Sequence, residues 1–437
     1  MLVYSKHQSP RFEYISGYLL QSLCGIDISF TNNAEEFELF SGPSFCYNDE
    51  LIKADAFHLI PHGLLFENSI QQQALKTEGW RNTKIFFTTN GSDLPFDILA
   101  ASFFLISRYE EYLPHEKDMY GRFSHTNSLA AKNDFLDLPV INCWAMELRR
   151  ILQRKFQSLI CHRRTFQFHP TYDIDMAWTY LHKGWIRNAT GFAKSLIHGQ
   201  WGQVSKRVDV LTNKRPDPFD VYEWLDALHI RYSLKPYYFF LLSEDPKGYD
   251  TNIDPYNKAM KDLVSYHSMG YPVGIHPSWQ SGDNSKLLQQ EISLLEKIKG
   301  KKVRASRFHY IRFDLPGGYR KLIEAGIKDD FSMGYGSING FRASVSTPFE
   351  WYDLEKDEQT SLVVHPFCWM DANSHYEQKY TPAQAYPELK KYHEIIKQTE
   401  GEMSIISHNS FFSDEPEFEG WKNLYEIFLR EVVYWDL

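Results

Sequence analysis

From Thr165 to Phe331 the chain reads TFQFHPTYDID (165–175), DPFDVYEWLDALH (217–229), KPYYFFLLS (235–243), PYNKAMKDLVSYHSMG (255–270), YPVGIH (271–276), NSKLLQQEISLLEKIKG (284–300), VRASRFHYIRF (303–313), PGGYRKLIEAG (316–326) and IKDDF (327–331). Short runs rich in aromatic and β-branched residues alternate with segments whose apolar residues recur at helical spacing. That alternation, with short turns between, predicts an α/β fold around a parallel sheet, open or closed into a barrel. A barrel is the preferred expectation, because the polar residues of interest fall where strands lead into the following helix, the face on which barrel sites are built. One insert, Leu181 to Arg215, breaks the rhythm. It carries Lys183, Arg187, Lys194, Lys206, Arg207, Lys214 and Arg215 against the single acid Asp209, with Trp185 and Trp201 between them. It reads either as a solvated helical face or as a basic lip for an anionic or membrane-borne substrate.

Upstream, two helices are predicted. In PFDILAASFFLISRYEEYL, from Pro95 to Tyr112, residues Ile98, Leu99, Ala101, Ser102, Leu105 and Ile106 recur at helical spacing, and Arg108, Glu110 and Glu111 close the element. A second spans Trp144 to Leu159, followed by the basic join Cys161-His162-Arg163-Arg164. That join sets the expected division of the 437-residue chain into an N-terminal α+β domain, 1–164, and a β/α domain, 165–437.

Composition narrows the function. With 43% hydrophobic and 24% charged residues the chain is a folded protein rather than a disordered one. A net charge of −9 gives no global attraction to nucleic acid, which is excluded as a partner. The start, MLVYSKHQSPRFEY, has no apolar run behind a basic cap, and no window reaches the roughly 20 apolar residues of a spanning helix. A cytoplasmic location without a transmembrane segment is therefore expected. Cys24, Cys46, Cys143, Cys161 and Cys368 are scattered, which argues for free thiols.

The chemistry starts at Thr171-Tyr172-Asp173-Ile174-Asp175. Alternate residues of a strand share a face, so Asp173 and Asp175 point the same way, and adjacent carboxylates need a proton or a cation between them. Taken alone, one of the pair could equally cap the next helix. In VGIHPSWQ a short strand delivers His276 into a proline turn, and two further strand ends carry His309 (RFHYIRF) and His408 (SIISHN). A single such histidine is usually structural. Their recurrence beside carboxylates suits a divalent metal: zinc first, with iron, manganese, nickel or cobalt as alternatives.

These residues resemble the polysaccharide deacetylases that share the NodB homology domain, carbohydrate esterase family four. TYDID is similar to a spaced variant of that family's first motif, which implies Asp173 as catalytic base and Asp175 as metal ligand. GIHPS resembles the second motif and implies His276 as a ligand. RFDLPGG resembles the third and implies that Arg312 orients Asp173, and the late His408 is implied as general acid. The second motif normally supplies another histidine four residues on, where this chain has Gln280, so His309 is the expected replacement ligand. The upstream strings HGLLFE, SRYEEYLPHEKDMYGRF and SLAAKNDFLDLP resemble a companion domain that precedes this deacetylase variant in some bacterial proteins.

The resemblance implies an irregular β/α barrel and a metal-dependent hydrolase that deacetylates an N-acetylated sugar or glycoconjugate, a non-peptide C–N bond. Trp279, Tyr310 and Trp369 are candidates for a sugar platform, with core packing an equal alternative for each. Two other readings compete: a non-catalytic carbohydrate-binding protein on a degenerate deacetylase barrel, and a hydrolase of a different C–N bond. The insert 181–215 is the expected place for any peripheral contact.

Overall fold

The structure, a computed structural model, describes residues 1–245 and 248–433. It is mixed α/β. In the N-terminal part four short strands, β1 (Leu2–Tyr4), β2 (Ser29–Thr31), β3 (Ser44–Tyr47) and β4 (Phe57–Leu59), form a parallel sheet in the order β2-β1-β3-β4. A hairpin of β5 (Glu78–Trp80) and β6 (Thr83–Ile85) follows.

The larger sheet has nine strands: β7 (Gln167–Ile174), β8 (Tyr237–Leu241), β9 (Val273–His276), β10 (Ala305–Ser306), β11 (Asp329–Asp330), β12 (Phe349–Asp353), β13 (Glu358–Val364), β14 (Trp369–Met370) and β15 (Glu402–His408). Their hydrogen-bonded order is β12-β13-β11-β10-β9-β8-β7-β15-β14, and every pairing is parallel except β12 with β13. β13 pairs with β11 at Val363 and Val364, and five residues on β14 pairs with β15 at Trp369 and Met370. The central strands carry near-continuous burial rather than alternation, as parallel strands covered on both faces do.

Local chemistry explains the crossovers. Helix Ser285–Lys299 starts where the Asn284 side chain accepts from the Leu287 amide (3.1 Å) and stops where Gly300 turns left-handed at φ 66°. In β9 a Cβ on Gly274 would lie 2.7 Å from the Ala305 carbonyl oxygen, so only glycine lets β10 approach there.

Three expected elements differ, the first being the helix expected over Trp144–Leu159, which runs Val140–Lys155. The strand expected over VRASRFHYIRF is only Ala305–Ser306; the chain then leaves the sheet and turns through His309–Ile311, with Tyr310 and Ile311 left-handed at φ 57° and 55°. The helix expected over Pro95–Tyr112 is Ile98–Ile106, capped by Asp97, with a separate turn at Tyr109–Tyr112. Its closing charges are not solvated. Arg108 and Glu111 are buried, and Glu111 is gripped by Arg108 (2.8 Å) and by Arg342 of the larger sheet's region (2.6 and 2.9 Å).

One hydrophobic core runs from Val3 to Leu429, so the N-terminal part and the nine-stranded region pack as a continuous body. Polar ties cross the same surface. Tyr14 and Tyr18 donate to the carbonyls of Glu350 (2.7 Å) and Thr347 (2.9 Å), and Arg149 forks onto Glu400 (2.8 and 2.9 Å). All five cysteines are free thiols. Among the described residues no helix is long and apolar enough to cross a membrane.

The Glu111 cluster generates a prediction. Burial favours protonated Glu111, but the two guanidiniums outweigh it and hold its carboxyl down at about 2. A depressed carboxyl stabilises the fold fully above its unfolded value of about 4.3, and that contribution is lost as the pH falls toward 2. Glu111→Gln should lower the unfolding free energy at neutral pH by about 3–5 kcal/mol, since it strands two buried cations. Urea unfolding of the wild type and the variant should converge as the pH drops below 4. Equal midpoints at pH 7 would show that the pair contributes nothing.

Candidate metal centre and active site

The centre is built at the carboxyl ends of four parallel strands. Asp173 lies one residue before the end of β7 and Asp175 follows it; His276 ends β9; His309 lies in the turn after β10; His408 ends β15, directly opposite Asp173 in register. In parallel α/β sheets this end collects functional groups, because the loops leaving it can vary without disturbing the strands.

Asp175, His276 and His309 have ligand atoms within 4.8 Å of one another and could hold a metal ion. Asp175 Oδ1 is 3.1 Å from His276 Nε2, and Oδ2 is 3.4 Å from His309 Nε2 and 3.5 Å from His408 Nε2. Asp173 Oδ2 is 3.8 Å from His276 Nε2, so both carboxylates converge on that ring.

The donor set fits a cation because each imidazole is already held at its other nitrogen. His276 Nδ1 meets the Arg307 carbonyl (2.5 Å), His309 Nδ1 meets Asp250 Oδ1 (2.8 Å), and His408 Nδ1 meets Asp371 Oδ1 (2.6 Å). With Nδ1 engaged in this way, Nε2 is the nitrogen each ring turns toward Asp175, and it becomes a ligand for a cation on giving up its proton. The orienting carboxylates are themselves fixed. Asp250 Oδ1 also accepts from the Trp279 amide (2.9 Å), and Asp371 accepts from the amides of His408 and Ala372 (both 2.7 Å).

The electrostatics match. Enclosure opposes a charge on Asp175, but the charges of His309 and His408 and hydrogen bonds from His276 and His309 hold it well below the usual carboxylate range. Burial likewise opposes charge on the two rings, yet Asp175 and Asp250 lift His309 to about 9, and Asp371 and Asp175 lift His408 to about 10.

Arg312 does not reach Asp173. It donates to the Trp279 carbonyl (2.7 Å), pairs with Asp283 and lies over the Trp279 ring at 4.0 Å. The residue on Asp173 is Arg307, fully buried, whose Nη1 donates to Asp173 Oδ1 (2.8 Å) and Thr171 Oγ1 (2.7 Å). The cause is the early end of β10, which leaves Arg307 at the mouth of the strand and carries Arg312 six residues beyond it into the turn. Trp369 is also not on the site surface: it is buried at 2% exposure with Trp421 beside it at 6.4 Å, a core residue. Trp279 and Tyr310 are half-buried. With Tyr249 and, from the N-terminal part, Tyr120, they form a wall with neighbouring ring centroids 4.9–5.5 Å apart. Gln280 starts the turn Gln280–Asp283.

Four of these residues carry no usable signal in the sequence. Asp250 and Tyr249 lie in an aperiodic loop, Asp371 follows a two-residue strand, and Tyr120 is far upstream. Arg307, two residues before His309 at a strand end, could have been found by weighing both arginines of RFHYIRF.

Comparison with known proteins adds two observations. A family of unknown function, DUF7033, matches residues 1–157. No curated protein matches the chain. Among solved structures, similarity is found to a protein described as a polysaccharide deacetylase from Mycobacterium smegmatis, at 13% identity and a TM-score of 0.40, over 62% of this chain and 85% of that one. It is also found to a polysaccharide deacetylase from Bacillus cereus, at 14% identity and a TM-score of 0.31, over 62% of this chain and 88% of that one. Likeness at this level assigns no chemistry to this chain, which has to be read from its own side chains.

The geometry makes a prediction for metal binding. Asp250→Asn, which leaves the ligands in place but weakens the hold on His309, should lower zinc affinity 10–100-fold by calorimetric titration. Asp175→Asn and His276→Ala should abolish the site. Because His309 must give up its proton to bind through Nε2, affinity of the wild type should rise with pH toward 9. Undiminished affinity in Asp175→Asn would place the ion elsewhere.

Proposed function

We propose that the protein is a metal-dependent hydrolase of the polysaccharide deacetylase type, removing the acetyl group from an N-acetylated sugar or glycoconjugate. One observation carries this reading: three imidazoles, each fixed through Nδ1, turn Nε2 toward Asp175, while a second carboxylate, Asp173, is held beside them by a buried arginine. In the proposed fold, the segment Glu358–Met370, paired with β11 and with β15, closes residues 165–437 into an irregular β/α barrel, with 1–164 as its companion domain.

Asp175, His276 and His309 would hold the ion. A divalent cation there supplies a Lewis acid that polarises the acyl carbonyl and acidifies a water. Asp173 takes the proton, and Arg307 fixes the orientation of its carboxylate. His408 delivers a proton to the departing amine, which is too basic to leave unprotonated, and Asp371 holds the ring in the orientation that does so. Tyr120, Tyr249 and Tyr310, with the ring face of Trp279 that Arg312 leaves uncovered, would supply aromatic surface for the C–H face of a sugar.

The test is acetate release from N-acetylated sugars, free, nucleotide-linked and lipid-linked, after loading with zinc. Asp173→Asn should cost about 10²–10⁴-fold in kcat, the usual worth of a general base, while metal content stays that of the wild type. No acetate from any of these substrates, or a fully active Asp173→Asn enzyme, contradicts the assignment.

A further inference from the structure

The insert that follows Asp175 folds as two helices, Gly184–Ile197 and Trp201–Leu211. Its root is tied to the centre's own loops. The Asp217 carboxylate accepts from the amides of Thr179, Tyr180 and Leu181 (2.7–3.0 Å), and Arg187 donates to the Asn252 carbonyl (2.9 Å). Beyond the root, the first helix turns an apolar face outward, and the second a mixed one. On the first helix Trp185, Ile186, Ala189, Ala193 and Ile197 are all exposed, and at about 100° per residue they share one stripe about 120° wide. Trp185 is 79% and Ile197 82% exposed. On the second helix Trp201, 69% exposed, and Val208 share the outer face with Ser205 and Thr212. A helix of a globular protein turns such a stripe to the core. Here the helices meet each other through a polar contact, Arg207 to Asn188 (3.0 Å), and leave the apolar stripe outside.

The charge has the opposite sign to the whole. The chain carries −9, whereas residues 181–215 have seven Lys and Arg against one acid. Lys206 and Arg215 are committed to Asp414 and Glu415. Lys194, beside the apolar stripe, and Lys214, past the second helix, are exposed, and among the described residues neither has a carboxylate partner. Exposed tryptophan and isoleucine flanked by unpaired lysine is the chemistry of a helix lying in a headgroup layer, with apolar side chains at the acyl boundary and cations on lipid phosphates. A second copy of the chain fits less well, since face-to-face pairing would oppose two basic surfaces.

We propose that the insert 181–215 docks on an anionic lipid bilayer surface. Docking presents the centre at its root to substrates carried by the membrane; only that consequence rests on the hydrolytic reading, and the docking does not.

Flotation of the full-length protein with vesicles tests it. The protein should partition onto phosphatidylglycerol-containing vesicles and not onto phosphatidylcholine alone, with binding falling as salt is raised. The triple variant W185S/I197S/W201S should bind on the order of tenfold more weakly or worse. Lys194→Gln and Lys214→Gln should each cost roughly fivefold. Because these side chains are exposed, the thermal midpoint of every variant should match the wild type, which separates lost docking from lost folding. No binding to the anionic vesicles, or equal binding by the triple variant, overturns the proposal. So does a dimer in gel filtration that the triple variant converts to monomer, which would give the stripe to a second copy. A protein that docks but releases no acetate would refute the hydrolase and leave the docking intact.

Discussion

The hydrogen bond at Nδ1 of each histidine is the constraint on which the centre depends. Without it an imidazole can present either nitrogen and rotate about its side chain; with it, Nε2 of His276, His309 and His408 is committed to the space around Asp175. The three anchors come from different places: a backbone carbonyl just past the end of the neighbouring strand, a carboxylate in the loop before Lys258–Gly270, and a carboxylate after β14. The site is therefore a property of the assembled sheet rather than of any one motif. Charge placement follows from the same arrangement, because buried cationic rings and buried carboxylates each require the other.

The turn that delivers His309 is the most strained part of this assembly. Tyr310 and Ile311 both sit in the left-handed region, which costs a β-branched residue most, on the order of 1–3 kcal/mol. Arg122 of the N-terminal part holds the turn by donating to the Tyr310 carbonyl (2.8 Å), and Lys117 pairs with Asp314 just beyond it (2.6 Å). Tyr120 lies between those two residues in sequence and reaches the aromatic wall. The N-terminal part thus braces the loop that carries one candidate ligand and adds Tyr120 to the aromatic cluster beside it, which is a physical reason for the two parts to share a core.

Much of this was legible in the sequence, and the limits are instructive. Alternating strand and helix patterns located β7, β8 and β9 and the helices between them, because each buries an apolar face and shows its period. TYDID and GIH were readable for a related reason: a polar residue ending an apolar strand is conspicuous. RFHYIRF was misread as a longer strand, since its alternation of apolar and polar residues is that of a strand while its backbone is a turn held by distant contacts. Arg312 was chosen by the likeness of RFDLPGG to a family motif, whereas the arginine on Asp173 is Arg307, which that motif does not mark. Trp369 looked like a platform because aromatic side chains give the same signal in a core and on a binding face. Asp250 and Asp371 are set by tertiary contacts with histidines 59 and 37 residues away, which no local pattern encodes. The buried charges Arg108 and Glu111 were read as a helix end for the same reason: their partner Arg342 is 231 residues from Glu111.

The most direct measurement is an anomalous-difference map from crystals grown with zinc, collected on both sides of the metal absorption edge. The expected result is one peak within bonding distance of Asp175, His276 Nε2 and His309 Nε2, with Asp173 and His408 outside that shell. A map with no peak there, or a peak bound by His408 in place of His309, would contradict the central claim.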